Sequence, residues 1–336
     1  MLSPQQIRQA HFNAEFGYGS MGLTWTPKPA PKEQAFAAIH KAIEMSKKPA
    51  LINMGEFYGP DFSNLRLLGE FFKTHPGLRE KVIVSCKGCM DNATLAPRGD
   101  RAGVLSSVEN CVRAFGGPID VFEPARIDTE LAGSKPYAPE TFDALVECIE
   151  KGLIGAISLS EVTEEQIRAI DAKYHQYVCC VEIELSLFSP HILSNGIAAA
   201  CNELGLPMLC YSPLCRGLLT GHVTSSDDVP DGDFKKCLKK FNGDALKHNL
   251  LLPQFLQQEI VAKHKGAITL PQVALAWIKA LNAKYPKTNF IPIPGGSSAK
   301  RVEENFTLKE LSEQELDKID DFIKHFQVQG DRYEVA

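Results

Sequence analysis

Residues 138–155, APETFDALVECIEKGLIG, run from a helix straight into a strand. Phe142, Leu145, Val146 and Ile149 recur at three- and four-residue spacing, the pattern of one buried helical face. Gly152 offers a helix end, and the apolar run LIGAIS (153–158) starts at once. The same alternation continues on both sides. Short apolar runs rich in β-branched residues stand at 50–53, 81–85, 119–123, 178–184, 206–211 and 289–293, with a further strand expected near Phe16. Amphipathic stretches near 33–46, 62–73, 103–114, 163–174, 191–204, 253–264 and 271–281 separate them. Repeated strand–helix–strand order implies parallel strands joined by crossover helices. Eight such strands in 336 residues predict an α/β fold, the closed (β/α)8 or TIM barrel, as one domain over residues 1–336.

One stretch breaks the rhythm. Residues 222–252 are polar and charged, and an excursion after a barrel strand is where substrate-covering loops usually form. Near the end, LSEQELDKIDDFIKHF reads as a capped helix, with Ser312 three residues before Glu315.

Composition narrows the function. The formal charge of −5 does not favour a phosphate backbone, so nucleic acid is not an expected partner. No apolar run approaches the roughly 20 residues a bilayer requires, and the N-terminus lacks an apolar leader segment, so neither a membrane nor secretion is expected. Ten cysteines without a leader point to free thiols in a reducing setting, cytoplasmic with the nucleus equally reducing. Cys86 and Cys89 form a lone CxxC, but it closes a strand-like run instead of opening a helix, so both read as buried strand-end thiols. Cys179 and Cys180 read as core. No metal site is expected. Nothing in the sequence signals an oligomer.

Gly17-Tyr-Gly-Ser-Met-Gly22 matches the glycine pattern of dinucleotide-binding crossovers. That motif works only if its third glycine opens a helix whose N–H groups meet the pyrophosphate. Here Pro27, Pro29 and Pro31 follow and forbid a continuous helix, so the pattern reads as a loop after a first strand.

The chemistry gathers at two strand ends. Tyr58 follows the strand at 50–53, and Lys87 ends the strand at 81–85. On a parallel barrel both belong to the C-terminal mouth, where active sites form. An ammonium beside a phenol lowers the phenol's pKa from about 10, so Tyr58 can donate a proton to a developing alkoxide.

INMGEFYG (52–59), YSPLCRGLLTG (211–221) and IPIPGGSSAKRVEEN (291–305) are similar, in order and spacing, to motifs of the aldo-keto reductases, and the resemblance runs nearly end to end. Within that family GEFYGPDFSNL, ARID, SLSEV, ELSLF and the terminal GDRYE most resemble the fungal pyridoxal reductases. The resemblance implies NADPH-dependent reduction of a small-molecule aldehyde, pyridoxal to pyridoxine, with Tyr58 as proton donor and Lys87 as its electrostatic partner. Asn53 stands where the family has Asp, and Ala125 where it has His. A weaker field on Tyr58 and a wider pocket are therefore expected, with Arg126 as a substitute donor if it points inward.

For NADPH, the resemblance implies Tyr211 against the nicotinamide and Ser160, Glu161 and Glu182 near its carboxamide. Ser212, Leu214, Arg216 and Gly217 would border the pyrophosphate. Ser298 and Arg301 would meet the 2′-phosphate, with Glu304 and Asn305 at the adenine. Trp25 and Phe57 join Ala125 and Arg126 as expected pocket residues. Two readings stay open beside this one: a general aryl or alkyl aldehyde reductase, and a non-catalytic NADPH-binding regulatory subunit.

Overall fold

A computed structural model of the chain describes residues 1–332. Eight strands lie in sequence order, every neighbouring pair parallel: β1 Gly17–Gly19, β2 Ala50–Gly55, β3 Val82–Gly88, β4 Ile119–Pro124, β5 Ile154–Ser160, β6 Val178–Glu184, β7 Met208–Tyr211 and β8 Phe290–Pro292. The ring closes through a bridge from Gly19 to Gly295, where the Gly19 N–H donates to the Pro294 carbonyl at 3.1 Å. This is the expected TIM barrel. The tyrosine and glutamate of the terminal GDRYE motif lie outside the described residues.

Helices form where the amphipathic stretches predict, with two revisions. The stretch 191–204 divides into a short 3-10 turn and a helix Ile197–Leu204, because Gly196 takes a left-handed φ of 90° between them. The stretch 253–264 likewise splits into Leu251–Glu259 and a 3-10 turn Val261–His264. A helix the periodicity reading omitted, Pro4–Asn13, begins with a capping box between Ser3 and Gln6. Gly22 lies within a single 3-10 turn, Met21–Leu23, and irregular backbone follows until the helix Lys32–Met45, so the glycine pattern opens no α-helix. The C-terminal helix Glu313–His325 carries its expected capping box.

Inside the barrel, alternate residues point to the axis and build two layers. The lower layer is apolar: Leu51, Ile83, Val121, Ala156, Leu209 and Ile291 pack with Ile7 from the helix Pro4–Asn13, which plugs the bottom. Asn289 fastens that plug by donating to the carbonyls of His11 and Ala14 at 2.9 and 2.8 Å. Two residues further along the same strands the interior turns polar, with Asn53, Ser85, Glu123, Ser158 and Glu182 all buried. Cys86, Cys89, Cys179 and Cys180 are buried free thiols.

Among the described residues no helix is long and apolar enough to cross a membrane, and no group of three His, Cys, Asp or Glu is placed to hold a metal ion.

Candidate active site

The upper rim gathers the residues the sequence singles out. β2 ends at Gly55, and the chain turns so that the Tyr58 ring lies back over it. A Cβ at Gly55 would sit 2.8 Å from the ring, which only glycine avoids. Tyr58 is buried among aromatics: Trp25 stacks on it with centroids 6.0 Å apart, and Phe57 meets it edge-on at 5.3 Å. Phe234, from the 222–252 excursion, also stacks on Trp25 at 6.1 Å, and the Arg216 guanidinium sits 5.1 Å from the Phe234 ring. The excursion thus folds back onto the mouth. Val229, Leu238, Phe241 and Leu246 bury into the main core and anchor it there.

Lys87, on β3, reaches the barrel axis. In register, Gly55 stands opposite Lys87, and Lys87 opposite Glu123 of β4. The Lys87 ammonium lies 3.0 Å from Glu123 Oε1 and 2.8 Å from Glu182 Oε1, and donates to Ser160 Oγ at 3.0 Å. It sits 5.5 Å from the centre of the Tyr211 ring. Burial alone would depress its pKa. The two carboxylates outweigh that loss, and the pair with Tyr58 adds to the pull, so Lys87 stays above its ordinary value and charged.

Asn53 does not contact the ammonium as its family counterpart would. Its Nδ2 donates to Glu182 Oε2 at 2.7 Å. The expected weaker field at Tyr58 presumed that no carboxylate replaces the missing one, and Glu123 and Glu182 correct that premise. Glu182 itself is fully buried below Lys87 instead of lining the mouth. Ser158 donates to Glu123 Oε2 at 2.6 Å and completes the set.

A second charged group crowns the rim. Arg332 donates to Glu184 Oε2 at 2.6 Å, to Glu161 Oε2 at 2.7 Å and to the Tyr211 hydroxyl at 3.0 Å. Arg216 donates to the Arg332 carbonyl at 3.3 Å. Burial pushes Glu161 up, but the charges of Arg332 and Arg126 prevail and hold it below the usual carboxylate range. Glu161 is thus committed to an arginine, where the sequence reading had it accept from a carboxamide. Arg126 bends back to donate to the carbonyl of its neighbour Ala125 at 2.7 Å, while its charge still acts on Glu161. Ala125 is buried.

Several of the residues expected to hold NADPH follow the ends of the paired strands β7 and β8. Beyond Tyr211, Ser212, Cys215 and Arg216 take left-handed φ of 48, 46 and 52°, and Gly217 takes 108°, so the turn through Leu214 is wound tightly. Next to β8, Gly295 and Gly296 leave backbone without side chains, bordered by the N-terminus of the helix Ala299–Phe306. Ser298 caps that helix, accepting from the Arg301 N–H at 3.4 Å. Arg301 is exposed there, and no carboxylate lies within ion-pair distance of it among the described residues. Backbone bared of side chains, a helix N-terminus and an uncommitted guanidinium suit a dinucleotide with an extra phosphate. Glu304 is half-buried on the same helix, whereas Asn305 is buried and donates to the Gly295 carbonyl at 2.9 Å, which makes it a brace of that backbone.

Sequence reasoning missed Glu123, Glu184, Phe234 and Arg332. Three of them were signalled by charge: glutamates inside the apolar runs IDVFE and VCCVEIE must find partners in the barrel, and Arg332 belongs to the GDRYE motif that carried resemblance without an assigned role.

Comparison with known proteins places the chain in a family. Residues 15–324 match the family model described as Aldo/keto reductase family. Over the full length of both chains the sequence is 52% identical to a Saccharomyces cerevisiae protein named "Putative pyridoxal reductase". It is 36% identical to "Probable pyridoxal reductase 2" of Schizosaccharomyces pombe, across 94% of this chain and 93% of that one. The solved structure of a glycerol dehydrogenase from Gluconobacter oxydans superposes with a TM-score of 0.73 over 96% of this chain and 95% of that one, at 19% identity, a likeness of fold alone.

Proposed function

The chain belongs to the aldo/keto reductase family, and we propose that it reduces an aldehyde to its alcohol with NADPH, the aldehyde being pyridoxal and the product pyridoxine. One observation carries the reading. A phenol and a charged ammonium from consecutive strand ends, Tyr58 and Lys87, stand close enough at the mouth for the phenol's charge to act on the ammonium, which also lies 5.5 Å from the Tyr211 ring.

The hydride for the carbonyl carbon comes from NADPH when it is bound. Tyr58 delivers the proton to the carbonyl oxygen as negative charge builds there, and Lys87 stabilises the phenolate left behind. Tyr211, Ser160, Leu214, Arg216, Gly217, Ser298 and Arg301 would hold the cofactor. Ser160 also fixes Lys87, so cofactor and proton donor share one support. Trp25, Phe57 and Phe234 offer flat faces to an aromatic aldehyde. The curated names of the two relatives favour pyridoxal among such aldehydes.

The test is NADPH consumption with pyridoxal and a panel of aryl and alkyl aldehydes, using the full chain and Tyr58→Phe. We expect pyridoxal to give the highest kcat/KM. Removing the phenol should lower kcat by roughly 10²–10⁴-fold with NADPH affinity kept. Equal rates across the panel would move the reading to a general aldehyde reductase. Tight NADPH binding with no turnover of any aldehyde would move it to a regulatory subunit.

A further inference from the structure

The barrel centre holds one ammonium and two carboxyl groups, none of them open to water: Lys87 from β3, Glu123 from β4 and Glu182 from β6. With both carboxyls ionised the cluster would carry a net negative charge in a region of low dielectric, a cost of several kcal/mol per uncompensated ion. The geometry singles out where a proton would sit. Glu123 Oε1 accepts a hydrogen bond from Lys87 and Oε2 one from Ser158. Glu182 Oε2 accepts from Asn53, but Oε1, although 2.8 Å from the ammonium, receives no aligned hydrogen bond. Burial, then the Glu123 charge, push Glu182 well above the usual carboxylate range.

Other groups facing the cluster do not supply the missing charge. Asn53 from β2 and Ser158 and Ser160 from β5 are neutral. Tyr58 and Tyr211 close it from above, the Arg332 guanidinium on the Tyr211 hydroxyl is matched by Glu161 and Glu184, and burial keeps Cys210 of β7 a thiol. From below, His11 is drawn toward protonation, against burial, mainly by a Cys180 thiolate. Burial keeps Cys180 a thiol, so that pull is missing and His11 remains neutral.

We propose that Glu123 and Glu182 share a single proton beside Lys87, and that this charge-neutral cluster, standing in for the carboxylate absent at Asn53, positions the ammonium and sets the acidity of Tyr58. The proposal rests on Tyr58 being the proton donor. It makes Glu123 and Glu182 positioning residues that act through Lys87. When the shared proton leaves at high pH, the cluster becomes net negative, the Tyr58 phenolate is disfavoured, and proton donation slows.

Infrared spectroscopy of the full chain without NADPH reads the proton directly. It is run at about pH 8, where the other buried carboxyl on this rim, Glu56, with a pKa of about 7, is mostly ionised. We expect a deuterium-sensitive C=O stretch of a protonated carboxyl in the wild type. It should be absent in Glu123→Gln and in Glu182→Gln, because a single remaining carboxyl ionises against Lys87. No such band in the wild type, or a band that survives in both variants, overturns the proposal. In turnover, the alkaline fall of kcat should move up by at least about one pH unit in either variant, since neither has a shared proton to lose. An unmoved fall in both variants overturns the positioning role. Tyr58→Phe separates the two levels. Full turnover in that variant sinks the proton-donor reading and with it the role claimed for the cluster, whereas a loss of turnover without the infrared band sinks the shared proton alone.

Discussion

The two layers of the barrel interior differ by two residues along each strand and by almost everything else. On β3, Ile83 lies in the lower layer and Ser85 in the upper, with Lys87 one further inward-facing step toward the mouth. The lower layer is close-packed hydrocarbon above a fastened helix, with each contact contributing dispersion and water exclusion. The upper layer replaces it with an ammonium, two carboxyls, an amide and hydroxyls whose burial is costly unless each meets a partner. Backbone strain divides the same way. Of the nine described non-glycine residues with left-handed φ, all but Lys265 lie in segments that follow the C-terminal ends of strands: Asp61, Phe62, Cys89, Leu95, Glu161, Ser212, Cys215 and Arg216. The lower half stabilises the fold, and the upper half uses some of that stability to hold chemistry in place.

If the division is sound, two substitutions on one strand should have opposite signatures. Lys87→Met leaves the carboxyls free to take up protons and removes the charge that stabilises the Tyr58 phenolate. We expect kcat to fall by roughly 10²-fold or more, measured in single-turnover reduction to exclude product release. Ile83→Ala opens a cavity in the apolar layer and should cost about 2–5 kcal/mol of stability by denaturant unfolding, with kcat per folded molecule unchanged. A drop in kcat for Ile83→Ala at temperatures where it is fully folded would mean that the two layers are mechanically coupled.

The same division explains what could be read in advance. The lower layer and the helices around it follow from periodicity, because each apolar residue needs only to be inside, and eight repeats of that demand allow few architectures. Tyr58 and Lys87 were legible because they follow consecutive strands and Tyr58 stands within INMGEFYG, a stretch that resembles a family motif. Glu123 and Glu182 were not, since Lys87 meets them only once strand register and barrel closure bring β3, β4 and β6 around one axis. Glu182 was read as a cofactor contact by analogy with its position, and its burial beneath Lys87 depends on the neighbouring Asn53, a pairing no local pattern encodes. Arg332 joins the site from 121 residues beyond Tyr211, through a tail whose course is set by packing against the excursion and β6.

The smallest predicted effect tests whether the upper half is held at a cost in stability. Glu56 lies in the turn between β2 and Tyr58, with its N–H donating to the Lys87 carbonyl at 2.8 Å and its carboxyl accepting from Ser107. Burial pushes its pKa from 4.5 to about 7, against the lowering effect of the Ser107 hydrogen bond. Between those two values the folded chain keeps a proton that the unfolded chain has released. Its contribution to stability is therefore complete below the unfolded value and is lost as pH rises through about 7. Glu56→Gln preserves a neutral side chain of the same shape and removes the titration. Thermal melts at about pH 5 and pH 8 should show the wild type losing on the order of 2 kcal/mol more than the variant, a few degrees of Tm. The same pH slope in both proteins would show that Glu56 ionises without strain, and that the turn carrying Tyr58 is held at no cost to the fold.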